Sequence, residues 1–369
     1  MNEEEHIYSI ALTQVPGIGP VWAKNLLKAA ESTVSIFKDK EELLHLIPGI
    51  PASIKKTLNN TDAVSRAEKE YKFILKNNIQ CLTIKDEAYP VRLRECEDAP
   101  AVLFYKGTAN LNAPRIISMV GTRSATDYGI RICNRFLEEL QSLCPDVLVV
   151  SGLAYGIDIH THRAAIANQL PTVGILAHGL DRIYPSVHRK TAIDMLECGG
   201  LLTEFSTETT PDKYNFVSRN RIVAGISDAT IVVESAKKGG SLITAEIAGS
   251  YQRECFAFPG RVTDEYSQGC NSLIHDNKAT LIQSAGEFVQ AMGWNAPSQK
   301  KKNVQRKLFP DLSDNERCIV SLLDKYGDMQ INQLVVTSDI SIQKMNPLLF
   351  ELEMKGVLRT LAGGMYRLL

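Results

Sequence analysis

The chain has 369 residues, 44% of them hydrophobic, with 41 Lys+Arg against 42 Asp+Glu and a formal charge of −1. That length calls for two or three domains with real cores, and the lack of a long apolar run or a basic-then-apolar leader sets the expectation of a cytoplasmic protein without membrane contact. The near-neutral balance excludes a uniformly basic coat, so any anion site has to be a local cluster.

The first unit, residues 1–85, reads as a helical accessory domain with a near-repeat, ALTQVPGIGPVWAKNLLKA followed by LLHLIPGIPASIKKTL. Each half is a helix, a Pro-Gly turn and a helix. The VPGIG of Val15 to Gly19 resembles the hairpin of helix-hairpin-helix modules, whose glycines present backbone amides to a DNA phosphate. Pro51 stands in the second copy where the first has Gly19, removing one amide. Residues 1–100 hold 13 basic and 15 acidic side chains, so a plain helical packing domain fits the same pattern.

Residues 86–295 change to alternating strands and helices. Short apolar runs are expected as strands at Val102–Tyr105, Ile116–Val120, Val147–Val150, Thr172–Leu176, Leu201–Glu204, Ala229–Glu234, Cys255–Phe258 and Thr280–Ile282. Helical periods lie between most of them. This alternation predicts an α/β fold, an extended Rossmann-like doubly wound sheet that is mostly parallel and longer than six strands.

In such a sheet the strand ends carry function. The first informative one is RIISMVGTRSATDYG, a buried strand, a turn at Gly121, then Thr122 and Arg123, with Ser124 or Thr126 placed to cap a helix from about Asp127 to Leu143. Helix-start amides beside a guanidinium make a phosphate seat; a bare turn with Arg123 on a neighbouring carbonyl is the alternative. The next ends supply Ser151-Gly152 with Gly156 and Asp158, Ala177-His178-Gly179, Glu234-Ser235, and Lys237-Lys238-Gly239-Gly240-Ser241 opening a helix with Thr244 and Glu246. Several such turns on one rim make a groove.

The second component is KYNFVSRNR, Lys213 to Arg221. Phe216 offers a π-face, and Lys213, Arg219 and Arg221, with Asn220 between them, offer cations and an amide, the ingredients of single-strand binding. Arg219 and Arg221, at i and i+2, point to different sides of a helix, so one can bind ligand while the other fixes structure.

Catalytic readings fall away. Asp158 and His162 are four apart and can satisfy each other more simply than they bind a metal. There is no GxxxxGK[ST], so the Gly-rich turns are not a Walker loop, and no GxGxxG, which disfavours a nicotinamide site; no cofactor is expected. Ser151 lacks the GxSxG elbow and is expected to hydrogen-bond phosphate; Tyr184-Pro185 and His188 are expected to pack. The eight cysteines are scattered singly and read as reduced thiols.

Residues 296–311 form a linker whose APSQKKKNVQRK carries five basic residues and no acidic one. Residues 312–369 give three helices and a hairpin on Gly363-Gly364, the winged-helix pattern. With 6 basic and 8 acidic side chains over 308–369, and Glu351 and Glu353 on its third helix, it is expected to meet duplex DNA poorly.

Taken in order, VGTRSAT with Tyr128-Gly129, SGLAYGID, HGLDRIYPSVH, LLTEF with FVSRNRIVAGIS, GGSLITAEIA and FAFPGRV with SQGCNSLI resemble the DNA-processing protein A family (DprA, also called Smf) from Asp86 to Ala291. The resemblance implies a bacterial protein without catalytic chemistry or cofactor. It would bind single-stranded DNA, form a homodimer and load the RecA recombinase in natural transformation and DNA recombination. It also implies a phosphate turn at Gly121, Thr122 and Arg123, a second at Ser151, Gly152 and Gly156, basic and base-contacting residues at Lys213 and Phe216, and a groove completed by Arg219, Asn220 and Arg221; Gln268 to Leu281 is similar to the self-association segment. Val217 departs from the family's proline, Gly239 from a frequent serine and Asn277-Lys278 from a common glycine. The competing class is an enzyme of the cytokinin-activating phosphoribohydrolase (LOG-like) type, which Gly239-Gly240-Ser241 with Thr244 and Glu246 distantly matches.

Overall fold

A computed structural model of the chain describes residues 3–30, 32–38, 54, 57–58, 62–294, 312–361 and 363–369. Most of the second hairpin copy, and the whole basic linker, fall outside those residues.

The N-terminal helices are α1 (Glu3–Thr13), α2 (Pro20–Ala29), α3 (Thr33–Lys38) and α4 (Asp62–Lys76). Gly17, at φ +87°, turns the chain between α1 and α2. Pro20 opens α2 at a position where a missing N–H costs nothing. Ile10, Leu12, Leu26 and Ile74 are buried in a core continuous with the neighbouring sheet edge.

The sheet has nine strands: β1 (Gln80–Thr83), β2 (Val102–Gly107), β3 (Ile116–Val120), β4 (Leu148–Gly152), β5 (Thr172–Ile175), β6 (Gly200–Thr203), β7 (Ala229–Val232), β8 (Glu254–Ala257) and β9 (Thr280–Leu281). Their order is β1-β2-β6-β5-β4-β3-β7-β8-β9. From β6 to β9 every pairing is parallel, whereas β2 pairs antiparallel to both β6 and β1. β1, whose first two residues are not buried, escaped the sequence reading because a short edge strand shows no full apolar run.

Strands β3 and β4 are buried on both faces, which is why their sequences show no polar alternation. Ile117 and Met119 pack in one layer with Phe136, Leu137 and Phe288. Ile116 and Val120 face the other layer with Val223 and Ile226. The intervening helices are α5 (Val91–Arg94), α6 (Asp127–Leu143), α7 (Ile157–Ala167), α8 (Arg189–Cys198), α9 (Lys213–Gly225), α10 (Gly240–Ser250), α11 (Gln268–His275) and α12 (Ala285–Ala291). After β6 the chain crosses back through α9 to lay β7 beside β3. The order therefore reverses between β3 and β7, and the crevice at their carboxyl ends is where such sheets receive ligands.

The C-terminal unit comprises α13 (Asp314–Tyr326), α14 (Ile331–Ser338), α15 (Ile342–Met354) and a sheet ordered β10 (Met329–Gln330), β12 (Met365–Leu368), β11 (Leu358–Leu361). Ser313 and Glu316 close a capping box on α13. The unit is docked on the core through a buried polar chain. Arg253 donates to Asn332 Oδ1 at 2.5 Å and to the Arg92 carbonyl at 2.8 Å. Asn332 Nδ2 donates to the Asp228 carbonyl at 3.2 Å, and Arg92 pairs with the Asp228 carboxylate at 2.6 Å. Asp228 precedes β7, so this dock sits at the amino ends of the strands, opposite the rim described next.

Candidate nucleic-acid interface

The turn after β3 is held from across the switch point. Thr122 N–H donates to the Glu234 carbonyl at 2.7 Å, and Ile157 N–H donates to the Thr122 carbonyl at 3.1 Å. The buried Glu234 carboxylate accepts from Thr126 N–H at 3.0 Å and from its hydroxyl at 2.5 Å. Thr126 is the cap of α6. A Cβ on Gly121 would run into Ile157 and the Glu234 carbonyl, so this glycine serves close packing. With the backbone fixed, Arg123 is left exposed on the rim.

The β4 loop locks against that turn. Gly156 has φ +75°, and a Cβ there would strike the Thr122 carbonyl and the Arg123 backbone. Gly152 leaves room for a charged pair, since its missing Cβ would meet both Arg219 and the Asp158 carboxylate. Burial pushes the Asp158 carboxyl up and the Arg219 guanidinium down, and the charge of each opposes the other's shift. Ser151 is fully buried and donates to the Met119 carbonyl at 2.6 Å. That differs from the expected phosphate contact: its one proton is already committed.

His162 does not pair with Asp158, as the i, i+4 spacing suggested. Its Nε2 lies 2.6 Å from the Gly152 carbonyl and its Nδ1 2.7 Å from Thr172 Oγ1. A carbonyl can only accept, so Nε2 carries the proton. Burial lowers this imidazole to about 4, leaving it neutral and structural.

Helix α9 starts at the same rim, capped by Asp212, which accepts from Asn215 N–H at 2.8 Å. Lys213 is exposed and Phe216 half-buried. The Arg123 guanidinium lies 4.8 Å from the Phe216 ring centroid and that of Arg219 5.9 Å. Both helix arginines are buried, which corrects the division expected from their spacing. Arg219 donates to the Ile175 carbonyl. Arg221 pairs with Glu204 at 2.5 Å and lies 3.9 Å from Asp98. Neither presents a free guanidinium to a backbone, and Asn220 between them is half-buried.

Beyond β7, Lys237, Lys238 and Gly240 are exposed, and α10 begins without a side-chain cap at Gly239. Its first-turn amides and the two lysines suit an anion. The Ser241 hydroxyl, in contrast, is buried and donates to Ser235 Oγ at 2.9 Å, so only its backbone faces that task. Open space surrounds Gly240. Glu246 is solvated and 3.8 Å from Lys278. Burial holds the Cys133 and Cys270 thiols up at about 12. Among the described residues no group of His, Cys, Asp or Glu is arranged to hold a metal.

Two positions at this rim were not legible in the sequence. Glu234 organises the β3 turn from a distant strand, and only its place at a strand end hinted at that. Tyr184, expected to pack, is 47% exposed and sits 6.0 Å from Phe216, ring centroid to centroid.

The DNA recombination-mediator protein A family matches residues 80–293, and the DprA winged helix domain matches residues 307–364. Protein Smf of Synechocystis is 33% identical over 301 residues, covering 79% of this chain and 74% of its own length. The X-ray structure of DNA processing protein A from Streptococcus pneumoniae superposes with TM-score 0.67 at 29% identity, over 78% of this chain and 98% of that one. A solved structure of DNA processing protein A from Helicobacter pylori, described for its single-stranded DNA binding mode, gives TM-score 0.53 at 28% identity, over 58% of this chain and 96% of that one. No helix among the described residues is long and apolar enough to cross a membrane. With the core and the winged helix both matched in order, the chain belongs to the DNA recombination-mediator protein A family.

Proposed function

We propose that the carboxyl rim of the sheet binds single-stranded DNA and performs no chemistry on it. One observation carries the reading: a permanently charged, exposed guanidinium, Arg123, lies over an aromatic ring, Phe216, at the strand-end crevice. On the same helix start as Phe216 stands the exposed Lys213, and the strand end after β7 adds exposed Lys237 and Lys238 before the uncapped start of α10. Phosphates meet the cations and amides, and a base meets the ring. Unpaired DNA suits this arrangement because a duplex keeps its base faces stacked. The described binding mode of the Helicobacter pylori relative supports the same reading.

In this reading the protein shields incoming strands in the cytoplasm, passes them to RecA and acts as a homodimer. The outermost strand β9 supports self-association, since both its residues are exposed and its outer edge is open to pairing or covering. Fluorescence anisotropy with single- and double-stranded oligonucleotides tests the central claim. Preference for the single strand, with affinity weakened in Arg123→Ala, is expected; equal binding of both forms, or full affinity in the variant, overturns it. Sedimentation of the intact chain, and strand exchange by RecA with and without it, test dimer and loader.

A further inference from the structure

Phe216 is not the most available ring at this rim. It is half-buried, with the exposed Arg123 guanidinium 4.8 Å from its ring centroid and the buried Arg219 guanidinium 5.9 Å away. Tyr184 beside it is 47% exposed. The two ring planes are inclined at 53° with centroids 6.0 Å apart. A base held between two rings needs parallel planes about 7 Å apart, two contact distances. The pair therefore cannot clamp one base, but each ring can take a base of its own on its outward side.

Tyr184 is also held in place from below. His178, 1% exposed, has Nδ1 2.8 Å from the Gly179 carbonyl, which can only accept, so Nδ1 bears the proton. The Nε2 lone pair then accepts the Tyr184 N–H at 3.2 Å. A few residues on, the buried His188 carries the edge of Tyr155, 49% exposed, at 5.1 Å. Tyr155 precedes Gly156, whose backbone presses on Arg123. Arg189 and Lys190, both exposed, continue the same segment. A solvent-facing ring on a rigid, buried support, with cations nearby, is how a stacking platform is built.

We propose that Tyr184 is a second base-stacking residue, so that the rim accepts at least two successive unpaired bases, one on Tyr184 and one on Phe216. This rests on the single-strand reading of the same rim. A stacked base loses its partner surface when the ring is removed, but no phosphate loses its counter-charge.

The test uses the full chain, a labelled oligothymidylate and a salt series. Tyr184→Ala is expected to weaken binding about tenfold with the slope of log affinity against log salt unchanged, and Tyr184→Phe to restore most of the loss. In Tyr184→Trp, the added indole fluorescence should be quenched by the oligonucleotide and far less by one with abasic sites. Affinity of Tyr184→Ala within twofold of the unmodified protein, or no quenching in Tyr184→Trp, overturns the proposal. Should the unmodified protein fail to bind, or Arg123→Ala bind as well as it does, the underlying site reading fails instead, and the two failures are separable.

Discussion

The guanidinium of Arg123 stands 4.8 Å over the ring of Phe216, although one follows β3 and the other begins α9 after β6. The contact exists because Gly156 lets the β4 loop press on the Arg123 backbone while Gly152 lets Arg219 pass beneath. Charge and ring are thus presented together by three separate stretches of chain: the turn after β3, the loop after β4 and the start of α9.

Replacing either member should weaken single-strand binding in different ways. Phe216→Ala removes a stacking face, expected at about 1–3 kcal/mol, with the salt slope retained. Arg123→Ala removes a phosphate contact and should lower that slope by about 0.7. Titrations at several salt concentrations check both; identical salt slopes in the two variants would falsify the assignment of roles.

Gly156→Ala should damage the fold and the site at once. Its φ of +75° disfavours any side chain, and the new Cβ would overlap the Thr122 carbonyl. A loss of about 2–4 kcal/mol in urea unfolding is expected, together with weaker DNA binding in the fraction that stays folded. Gly240→Ala, with open space at its Cβ, should cost little in the same unfolding experiment.

His162 makes stability depend on pH. Its folded value, about 4, lies below the ordinary 6.5, so protons bind the unfolded chain more readily. The stability it contributes is complete above about pH 6.5 and is lost progressively as pH falls toward 4, by about 3 kcal/mol. Asp158 and Glu204, raised by burial, oppose that trend in the intact protein. Comparing chemical unfolding of the unmodified protein and His162→Gln from pH 7 to 4 isolates the imidazole: the difference between them should shrink as pH drops.

Asn332→Leu should loosen the winged helix without touching the rim. The substitution leaves buried Arg253 without one acceptor and the Asp228 carbonyl without its donor, an expected cost of about 2 kcal/mol. Faster amide exchange in α14 and quicker proteolysis between core and winged helix are expected, with single-strand affinity unchanged. Duplex affinity should stay low even then, because α15 carries Glu351 and Glu353.

Much of the architecture was readable because it rests on local periodicity. The apolar runs at Ile116–Val120 and Thr172–Leu176 and the helical period after Asp127 each announce their own element. The strand-end glycines likewise marked where ligand-facing turns would lie. What could not be read was the use of polar side chains. Ser151, Arg219, Arg221 and Ser241 look like phosphate ligands in sequence, yet each is buried and has a partner drawn from another element or the next turn.

The sequence by itself determined the kinds of elements, their order and the rim on which function would sit, since period, turn chemistry and strand-end position are properties of neighbouring residues. Only the tertiary structure decided which cations stay free and which rings face solvent. Arg219 is buried and committed to the Ile175 carbonyl while Arg123 stays exposed, and Tyr184, on the loop after β5, meets Phe216 of α9 with its ring still half exposed. Such contacts join residues remote in the chain, and no local pattern encodes their distance.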